Sequence, residues 1–259
     1  MTLSIETRAL TRRFGKAVAL DAVDFSARAG SAHGLVGPVG AGKTTLLRIL
    51  AALLEPSSGE ARIHGVSTRV DPVAVRAMTG YAPAEFGQYP SMTVVEYLMF
   101  YAGCYHVPAH EREPLARDLL QLVDLAHRPD ASLDELSPGM RKRLSLARAL
   151  THDPPVLLLD DPLAGLDPRG RVEVRELIRE LRLMGKTILI TSRNMGELEG
   201  VCDRITLLES GKIVLSGEYG ALAARLRPHR PMVITFLGES DAALAVAEAN
   251  PGVFNARMA

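Results

Sequence analysis

The chain has 259 residues, of which 47% are hydrophobic and 23% charged, a composition that is ordinary for a globular protein and excludes predominant disorder. Lys and Arg together number 30, and so do Asp and Glu, so the formal net charge is +0. A chain without excess positive charge has little long-range attraction for nucleic acid or anionic lipid. Any binding of phosphate groups must therefore come from a local site.

The two cysteines, Cys104 and Cys202, are too few for a disulfide framework and indicate thiols in a reducing cytosol. Residues 1–6 alternate like a strand and contain no apolar segment typical of a signal peptide. The longest apolar stretches, such as residues 46–54, are far shorter than the roughly 20 residues that a membrane-spanning helix needs. Contact with a membrane would require a partner protein.

Short strands and one strong helix are predicted in the first third of the chain. Apolar residues alternate along residues 3–7 and 23–25, and residues 33–36 form an apolar run typical of a buried strand. A glycine-rich turn follows, and the pattern over Thr44–Leu54 predicts a helix that stops near Pro56.

The middle of the chain carries helical patterns only, over residues 93–105, 111–124 and 137–150. Because strands and helices alternate elsewhere in the chain, these three helices predict an inserted helical subdomain over about residues 85–150.

Strands and helices alternate again in the prediction after residue 150. Buried strands are predicted at residues 156–159 and 187–191, with a helix over residues 169–183 between them and a hairpin over residues 205–215 after them. A linker-like stretch at residues 227–231 then leads into a predicted tail unit. The predicted elements of this tail are a strand over residues 232–237, a helix over residues 241–250 with Ser240 as its N-cap, and a second strand from Val253 onward.

A glycine-rich segment lies between the strand at residues 33–36 and the following helix. It fits the pattern G-x-x-x-x-G-K-S/T and consists of Gly37, Pro38, Val39, Gly40, Ala41, Gly42, Lys43 and Thr44. Glycines in this context let backbone N–H groups surround a phosphate, to which the helix N-terminus adds positive charge. We expect Lys43 to reach the β- and γ-phosphates and the Thr44 hydroxyl to bind Mg²⁺, with Thr45 beside it at the phosphates.

Two acidic residues end the strand at residues 156–159. Asp160 is placed to hold Mg²⁺, in the manner of a Walker B aspartate. Asp161 follows it and is a candidate for positioning or polarising the attacking water. A strand that simply ends in a polar turn looks the same, but the phosphate loop upstream favours the interpretation as a magnesium site.

A third motif lies between the glycine-rich segment and the two aspartates. Leu136, Ser137, Pro138 and Gly139 open a helix and are close to a signature of the type L-S-G-G-x. With this motif, residues 1–227 resemble the nucleotide-binding subunit of an ATP-binding cassette (ABC) transporter, most closely of the exporter type.

Further segments carry the same resemblance. Ala164–Asp167 matches the D-loop, Gly80–Pro83 matches the lead into the Q-loop, and Phe14 matches the aromatic residue that stacks on adenine. A single Phe at such a position is also common as a core residue. The tail over residues 231–259 resembles the start of the small C-terminal extension of exporter-type cassettes, and its short length predicts a truncated extension.

The resemblance implies an α/β fold: a P-loop NTPase (RecA-like) core with an antiparallel β subdomain and the inserted helical subdomain. It implies ATP and Mg²⁺ as cofactors, and a head-to-tail dimer with a second ABC subunit, in which Ser137, Gly139 and Asp167 contact nucleotide. A transmembrane permease subunit is expected to bind at the helical subdomain and Q-loop. This places the chain peripherally on the cytoplasmic face of the membrane; nucleic acid is not an expected partner.

Four family positions carry other residues. Ala84 replaces the Q-loop glutamine, Pro138 the first signature glycine, Asp161 the catalytic glutamate and Arg193 the switch histidine. Asp161 and Arg193 are therefore the candidate catalytic residues of an altered site. Asp161 is one methylene, about 1.5 Å, shorter than glutamate, and a misplacement of ~1 Å can cost on the order of 100-fold in rate.

The other three substitutions also bear on hydrolysis. Ala84 offers no amide to Mg²⁺ or water, and Arg193 cannot act as a neutral imidazole, although its fixed charge can contact the γ-phosphate. Pro138 removes one backbone N–H near the partner's nucleotide, although Ser137 followed by Pro138 is a favourable helix start. Together these substitutions predict retained binding and weakened hydrolysis.

Three functions remain open at this point. The first is the ATP-hydrolysing motor subunit of an exporter, and the second is a regulatory, catalytically degenerate ATP-binding half of a heteromeric transporter. The third is a soluble ABC-type protein of DNA repair or translation, which the single cassette and the zero net charge disfavour. A small-molecule P-loop kinase is disfavoured because it has no use for the motif at residues 136–139.

Overall fold

The structure is a computed structural model that describes residues 2–226 except Gln88 and Pro90, together with the isolated residues Leu244 and Val246. The chain divides into two compact units, Met1–Tyr219 and Gly220–Ala259. The first unit contains all the motifs identified above. The linker and tail elements predicted after residue 226 lie outside the described residues, apart from those two isolated positions in the predicted helix.

The strands of the described chain are β1 (Leu3–Phe14), β2 (Ala17–Arg28), β3 (Ala32–Val36), β4 (Ser58–Ile63), β5 (Val66–Ser67), β6 (Thr79–Ala82), β7 (Val156–Leu159), β8 (Thr187–Ser192), β9 (Arg204–Glu209) and β10 (Lys212–Glu218). The helices are α1 (Lys43–Leu50), α2 (Pro72–Met78), α3 (Val94–Cys104), α4 (Ala109–Leu122), α5 (Pro138–Ala149), α6 (Pro168–Leu183) and α7 (Tyr219–Leu226). Short 3-10 turns occur at Leu133–Glu135 and Met195–Leu198.

The strands form two sheets. The first is antiparallel, with the order β2-β1-β4-β5. The second has the order β10-β9-β3-β8-β7-β6; its strands from β9 to β6 are parallel, and β10 is the antiparallel hairpin partner of β9. Because parallel strands end at the same edge of a sheet, the segments that follow β3, β6, β7 and β8 all emerge at one edge.

The central strands of the second sheet are buried along their whole length, as every residue of β3, β7 and β8 is shielded from solvent. This is the pattern of a parallel sheet covered on both faces. Helix α1 buries Leu46, Leu47, Ile49 and Leu50 in a core shared with β1, β2 and the second sheet. The glycine-rich segment is therefore fixed at both ends, by β3 before it and by α1 after it.

Helices α3, α4 and α5 pack against one another and form the helical part of the fold. Helix α3 begins with a capping box in which Thr93 and Glu96 satisfy each other's backbone N–H groups. Helix α5 begins as the sequence predicts: the Ser137 side chain caps it by accepting from Met140 N, and Pro138 lies in its first turn. No helix in the described part of the chain is long and apolar enough to cross a bilayer.

Two differences from the sequence predictions concern residues 44–82. The helix after the glycine-rich segment ends at Leu50 instead of Leu54, because Ala52 adopts a positive φ of 51° that a helix cannot continue through. Strands β4, β5 and β6 and helix α2 then follow, none of which the periodicity predicts with defined bounds.

Candidate functional site

The glycine-rich segment forms a tight loop between β3 and α1. Gly42 has φ 105° and a Cβ atom there would lie 2.4 Å from the Ala19 carbonyl of β2, so only glycine fits this position. Gly42 precedes α1 without capping it by a side chain. The first N–H groups of α1 are therefore free of a side-chain cap, and they point in the direction from which an anion binds to a helix N-terminus.

Lys43 lies folded over this loop. Its Nζ donates to the carbonyl oxygens of Gly37 at 2.6 Å and Pro38 at 2.9 Å. Burial lowers the pKa of Lys43 from its usual value, while the charges of Asp161 and Asp160 act in the opposite direction. The ammonium group thus lies between the loop and the two aspartates, where a phosphate bound by the loop would meet it.

Thr44 and Asp160 are brought together although 116 residues separate them. The Thr44 hydroxyl donates to Asp160 Oδ2 at 2.8 Å, and Thr191 donates to the other carboxylate oxygen, Oδ1, at 2.7 Å. A threonine hydroxyl beside an aspartate carboxylate is the donor set that P-loop enzymes use for Mg²⁺. The residues present therefore fit a magnesium ion at this edge of the sheet.

Asp161 has an unusual backbone. Its φ is 50°, in the left-handed region that aspartate tolerates better than most residues. Its N–H donates to the Thr191 hydroxyl at 2.8 Å. Burial raises the pKa of Asp161 from its usual value, with Arg193 and Lys142 acting against that rise.

Arg193, which follows β8, forms an ion pair with Asp161, with 3.3 Å between its Nε and Oδ2. The Arg193 side chain is 64% exposed, whereas that of Asp161 is 11% exposed. The guanidinium is therefore accessible from solvent. The two candidate catalytic residues are in contact with each other.

The sequence motifs do not predict two residues of this site, Thr191 and Lys142. Thr191 is buried at the end of β8 and contacts both consecutive aspartates. Lys142 reaches from α5 to the backbone of Ala84 and Asp161. Thr191 could have been found from its place next to Ser192 and Arg193, but no sequence signal points to the contacts of Lys142.

Phe14 ends β1 and is 48% exposed, so its ring is available for stacking and is not a core residue. The Arg12 guanidinium covers one side of the ring, 4.5 Å from its centroid. Phe14 pairs with Ala17 on β2, two residues before the Ala19 carbonyl that abuts Gly42. Phe14 therefore belongs to the strand pair that abuts the glycine-rich loop at Gly42.

Ser137, Gly139 and Asp167 come together elsewhere, in a cleft of about 380 Å³. None of residues 37–45, all of which the structure describes, lines this cleft. Arg143 connects two sides of the cleft. It forms ion pairs with Asp124 of the α4–α5 connection at 3.0 Å and with Glu173 of α6 at 3.5 Å. The predicted nucleotide-contacting residues thus form two separate groups on one chain.

Residues 20–164 match the family model described as "ABC transporter". This chain belongs to the ABC transporter ATPase family. The resemblance predicted from residues 136–139 and the flanking motifs is thereby confirmed. The cassette is 38% identical over 218 residues to the Nod factor export ATP-binding protein I of Burkholderia lata, an alignment that covers 84% of this chain and 72% of the relative.

The cassette is also 30% identical over 240 residues to the linearmycin resistance ATP-binding protein LnrL of Bacillus subtilis, covering 93% of this chain and 77% of the relative. Among solved structures, the chain resembles a dimeric ATP-binding cassette in a post-hydrolysis state, bound to ADP and Pi. The TM-score is 0.77 and the sequence identity is 25%, and the match covers 83% of this chain and 98% of that one. It likewise resembles cbiO1 from Clostridium perfringens, which is part of the ABC transporter complex cbiONQ. The TM-score is 0.77 and the sequence identity is 26%, and the match covers 86% of this chain and 92% of cbiO1. The predicted fold class, an α/β P-loop core with an antiparallel sheet and a helical part, is confirmed.

Proposed function

We propose that the cassette binds and slowly hydrolyses Mg-ATP to drive export through a separate membrane subunit. The observation that carries this proposal is the contact between the Thr44 hydroxyl and Asp160 Oδ2 at 2.8 Å, beside the loop and Lys43. It joins the two residues expected to hold Mg²⁺ at the edge where the phosphates would bind. A magnesium ion held there supplies charge neutralisation at the β- and γ-phosphate oxygens.

The residues of this chain have distinct roles in the proposed reaction. The loop N–H groups and Lys43 hold and orient the phosphates, and Phe14 stacks on the adenine. Asp161 orients the attacking water and accepts its proton, and Arg193 places a fixed positive charge near the transferred phosphoryl group. The shorter side chain of Asp161 and the missing amide at Ala84 make this hydrolysis slow.

A head-to-tail dimer completes the proposed site. Ser137, Gly139 and Asp167 line a cleft away from the glycine-rich loop, so they contact nucleotide only if it is held by another cassette. We propose that each ATP lies between the loop of one subunit and the Ser137 cleft of a second ABC subunit. A similar cassette of known structure is dimeric, which supports the formation of a dimer.

The names of two relatives support a direction of transport, and the family supports a location. Two of them are named for Nod factor export and for linearmycin resistance, which favours export. We propose that the cassette lies at the cytoplasmic face of the membrane, bound to a permease subunit through α3–α5 and the segment after β6. Nucleic acid is not a proposed partner, since the chain has no net positive charge.

Steady-state ATP hydrolysis by the purified chain tests the proposal, with Lys43→Ala as the blank and ATP binding measured in parallel. We expect slow turnover that clearly exceeds the blank and requires Mg²⁺. The absence of ATP binding by the folded chain would overturn the proposal.

A second function is favoured by two observations: Arg193 is paired with Asp161, and Ala84 provides no amide. This candidate is a degenerate ATP-binding half of a heteromeric transporter. ATP binding without turnover, followed by activity only when a complete partner cassette is added, would identify it.

A further inference from the structure

Lys142 connects the helical part of the cassette to the catalytic edge of the sheet. It lies on α5, in the first turns after Ser137, and its Nζ donates to two backbone carbonyl oxygens. One is Ala84 O, at 2.5 Å, in the segment that follows β6. The other is Asp161 O, at 3.1 Å, directly after β7 and Asp160. Three separate parts of the chain therefore meet at one ammonium group.

The backbone of Asp161 needs such support. A non-glycine residue in the left-handed region is strained, and it persists only where its surroundings fix it. Three hydrogen bonds fix Asp161 at its φ of 50°: its N–H donates to Thr191 Oγ1 at 2.8 Å, and its carbonyl accepts from Ala164 N at 3.2 Å and from Lys142 Nζ at 3.1 Å. Among these partners, only Lys142 comes from the helical part.

The environment of Lys142 also indicates a fixed cation rather than a solvated one. The residue is half-buried, and burial lowers its pKa, while the charges of Asp161, Asp160 and Glu85 act in the opposite direction. Burying an ammonium group is unfavourable unless its hydrogens have acceptors, and two backbone carbonyls supply them here.

We propose that Lys142 is a positioning residue for ATP hydrolysis, which holds the backbone of Asp161 in its left-handed conformation and ties it to the segment at Ala84 and to α5. The proposal rests on the proposed function, since it takes Asp161 as the residue that orients water. The backbone carbonyl of Ala84, and not its side chain, makes the connection to the site through Lys142. A displacement of α5 or of the Ala84 segment would then move Asp161.

Three variants test this role. Lys142→Met keeps the length and the apolar stem but removes the donors, whereas Lys142→Arg keeps donors that can reach carbonyl oxygens. Lys186→Met is the matched control, because Lys186 is also a buried lysine that donates to a backbone carbonyl, Asp153 O, at 3.2 Å. It precedes β8, at the end of the sheet opposite to Arg193.

We expect Lys142→Met to lower kcat by roughly 10- to 100-fold, since a misplacement of ~1 Å costs about that much. The KM for ATP should change by less than about twofold, because the hydrogen bonds of the Lys142 ammonium go to Ala84 and Asp161 and not to the glycine-rich loop. Lys142→Arg should recover most of the lost kcat, and Lys186→Met should keep the parental kcat. An unchanged kcat in Lys142→Met, an equal loss in Lys186→Met, or a loss that appears only in KM would overturn the proposal.

Hydrogen–deuterium exchange separates this proposal from the proposed function. We expect faster exchange in Lys142→Met for peptides that cover Asp161 and Ala84, and unchanged exchange around Asp153. If the parent shows no more turnover than Lys43→Ala, the proposed hydrolysis is wrong, yet local exchange still decides the role of Lys142. Unchanged exchange at Asp161 and Ala84 would then overturn it.

Discussion

The buried hydroxyl of Thr191 joins the two consecutive aspartates: it donates to Asp160 Oδ1 at 2.7 Å and accepts from the backbone N–H of Asp161 at 2.8 Å. One side chain at the end of β8 thus orients both the proposed magnesium ligand and the proposed general base. A valine at this position has the same shape but can make neither bond.

The first prediction concerns Thr191→Val. We expect a loss of about 1–3 kcal/mol in the free energy of unfolding, because Asp160 Oδ1 and Asp161 N–H lose their partner. Affinity for Mg-ATP should fall as well, since Asp160 is no longer oriented. Denaturant unfolding and Mg-ATP titration measure the two effects. Thr191→Ser, which keeps the hydroxyl, is the control, and equal behaviour of the two variants would contradict the prediction.

The second prediction concerns Asp161→Asn. Asparagine also tolerates a positive φ, so the fold should be preserved. The amide cannot accept a proton from water, and we expect kcat to fall by at least about 100-fold, the contribution typical of a general base. ATP binding should stay near the parental level because the loop and Lys43 are intact. Retained turnover in this variant would show that another group activates the water.

The third prediction is a pH dependence. Burial raises the pKa of Asp161, and the carboxyl is active only when deprotonated, so turnover should be lost on acidification at a higher pH than for an ordinary aspartate of pKa about 3.9. Arg193 lowers that pKa, so Arg193→Gln should move the acidic limb of the kcat profile to still higher pH. Arg117→Gln, on the exposed face of α4, is the control and should leave the limb in place. A shift to lower pH in Arg193→Gln would contradict this electrostatic account.

The fourth prediction compares two glycines of the loop. Gly40 and Gly42 both have positive φ, but a Cβ at Gly40 meets no atom within 4 Å, whereas at Gly42 it would lie 2.4 Å from Ala19 O. Gly40→Ala should therefore cost about 1–2 kcal/mol of conformational strain. Gly42→Ala should cost more and abolish ATP binding, because β2 or the loop has to move. Equal unfolding midpoints for the two variants would argue against the close packing of β2 on the loop.

The fifth prediction tests the proposed dimer. A Cβ at Gly139 would meet Leu166 Cδ2 at 3.5 Å, an ordinary contact, so Gly139→Asp should fold normally. Its carboxylate would face the phosphates held by a second subunit. We expect ATP binding to persist, while ATP-dependent dimerisation, followed by light scattering, is lost; Gly139→Ala should still dimerise. Dimers of Gly139→Asp as stable as those of the parent would exclude the head-to-tail arrangement.

The motifs of the site could be predicted from the sequence because each is local. The loop at residues 37–44 is flanked by a buried strand and an apolar helix, and Ser137 followed by Pro138 specifies a helix start that the structure reproduces. Helices α3, α4, α5 and α6 and strands β7 and β8 also lie within a few residues of their predicted bounds. The helices follow from apolar periodicity, and the two strands from short continuous apolar runs.

The antiparallel sheet was harder to predict for physical reasons. Positive φ values at Ala9 and Ala22 interrupt the alternation of β1 and β2, so that only short pieces of these strands are visible in the sequence. Strand β4 opens with Ser58 and Gly59, which have low strand propensity. The contact between Lys142 and Ala84 spans 58 residues and has no local pattern, so only the folded structure reveals it.

The glycine-rich loop makes contacts with a segment of the chain that is synthesised long after the loop itself. Strand β3 lies between β8 and β9, and Gly211 N–H donates to Ala41 O at 3.0 Å within the loop itself. A nascent chain that ends before β9 leaves one edge of β3 unpaired and the loop without this bond. Such distant contacts form slowly and only once both partners have left the ribosome. The loop therefore gains its full set of backbone contacts only late in translation, once the chain as far as Gly211 has been synthesised.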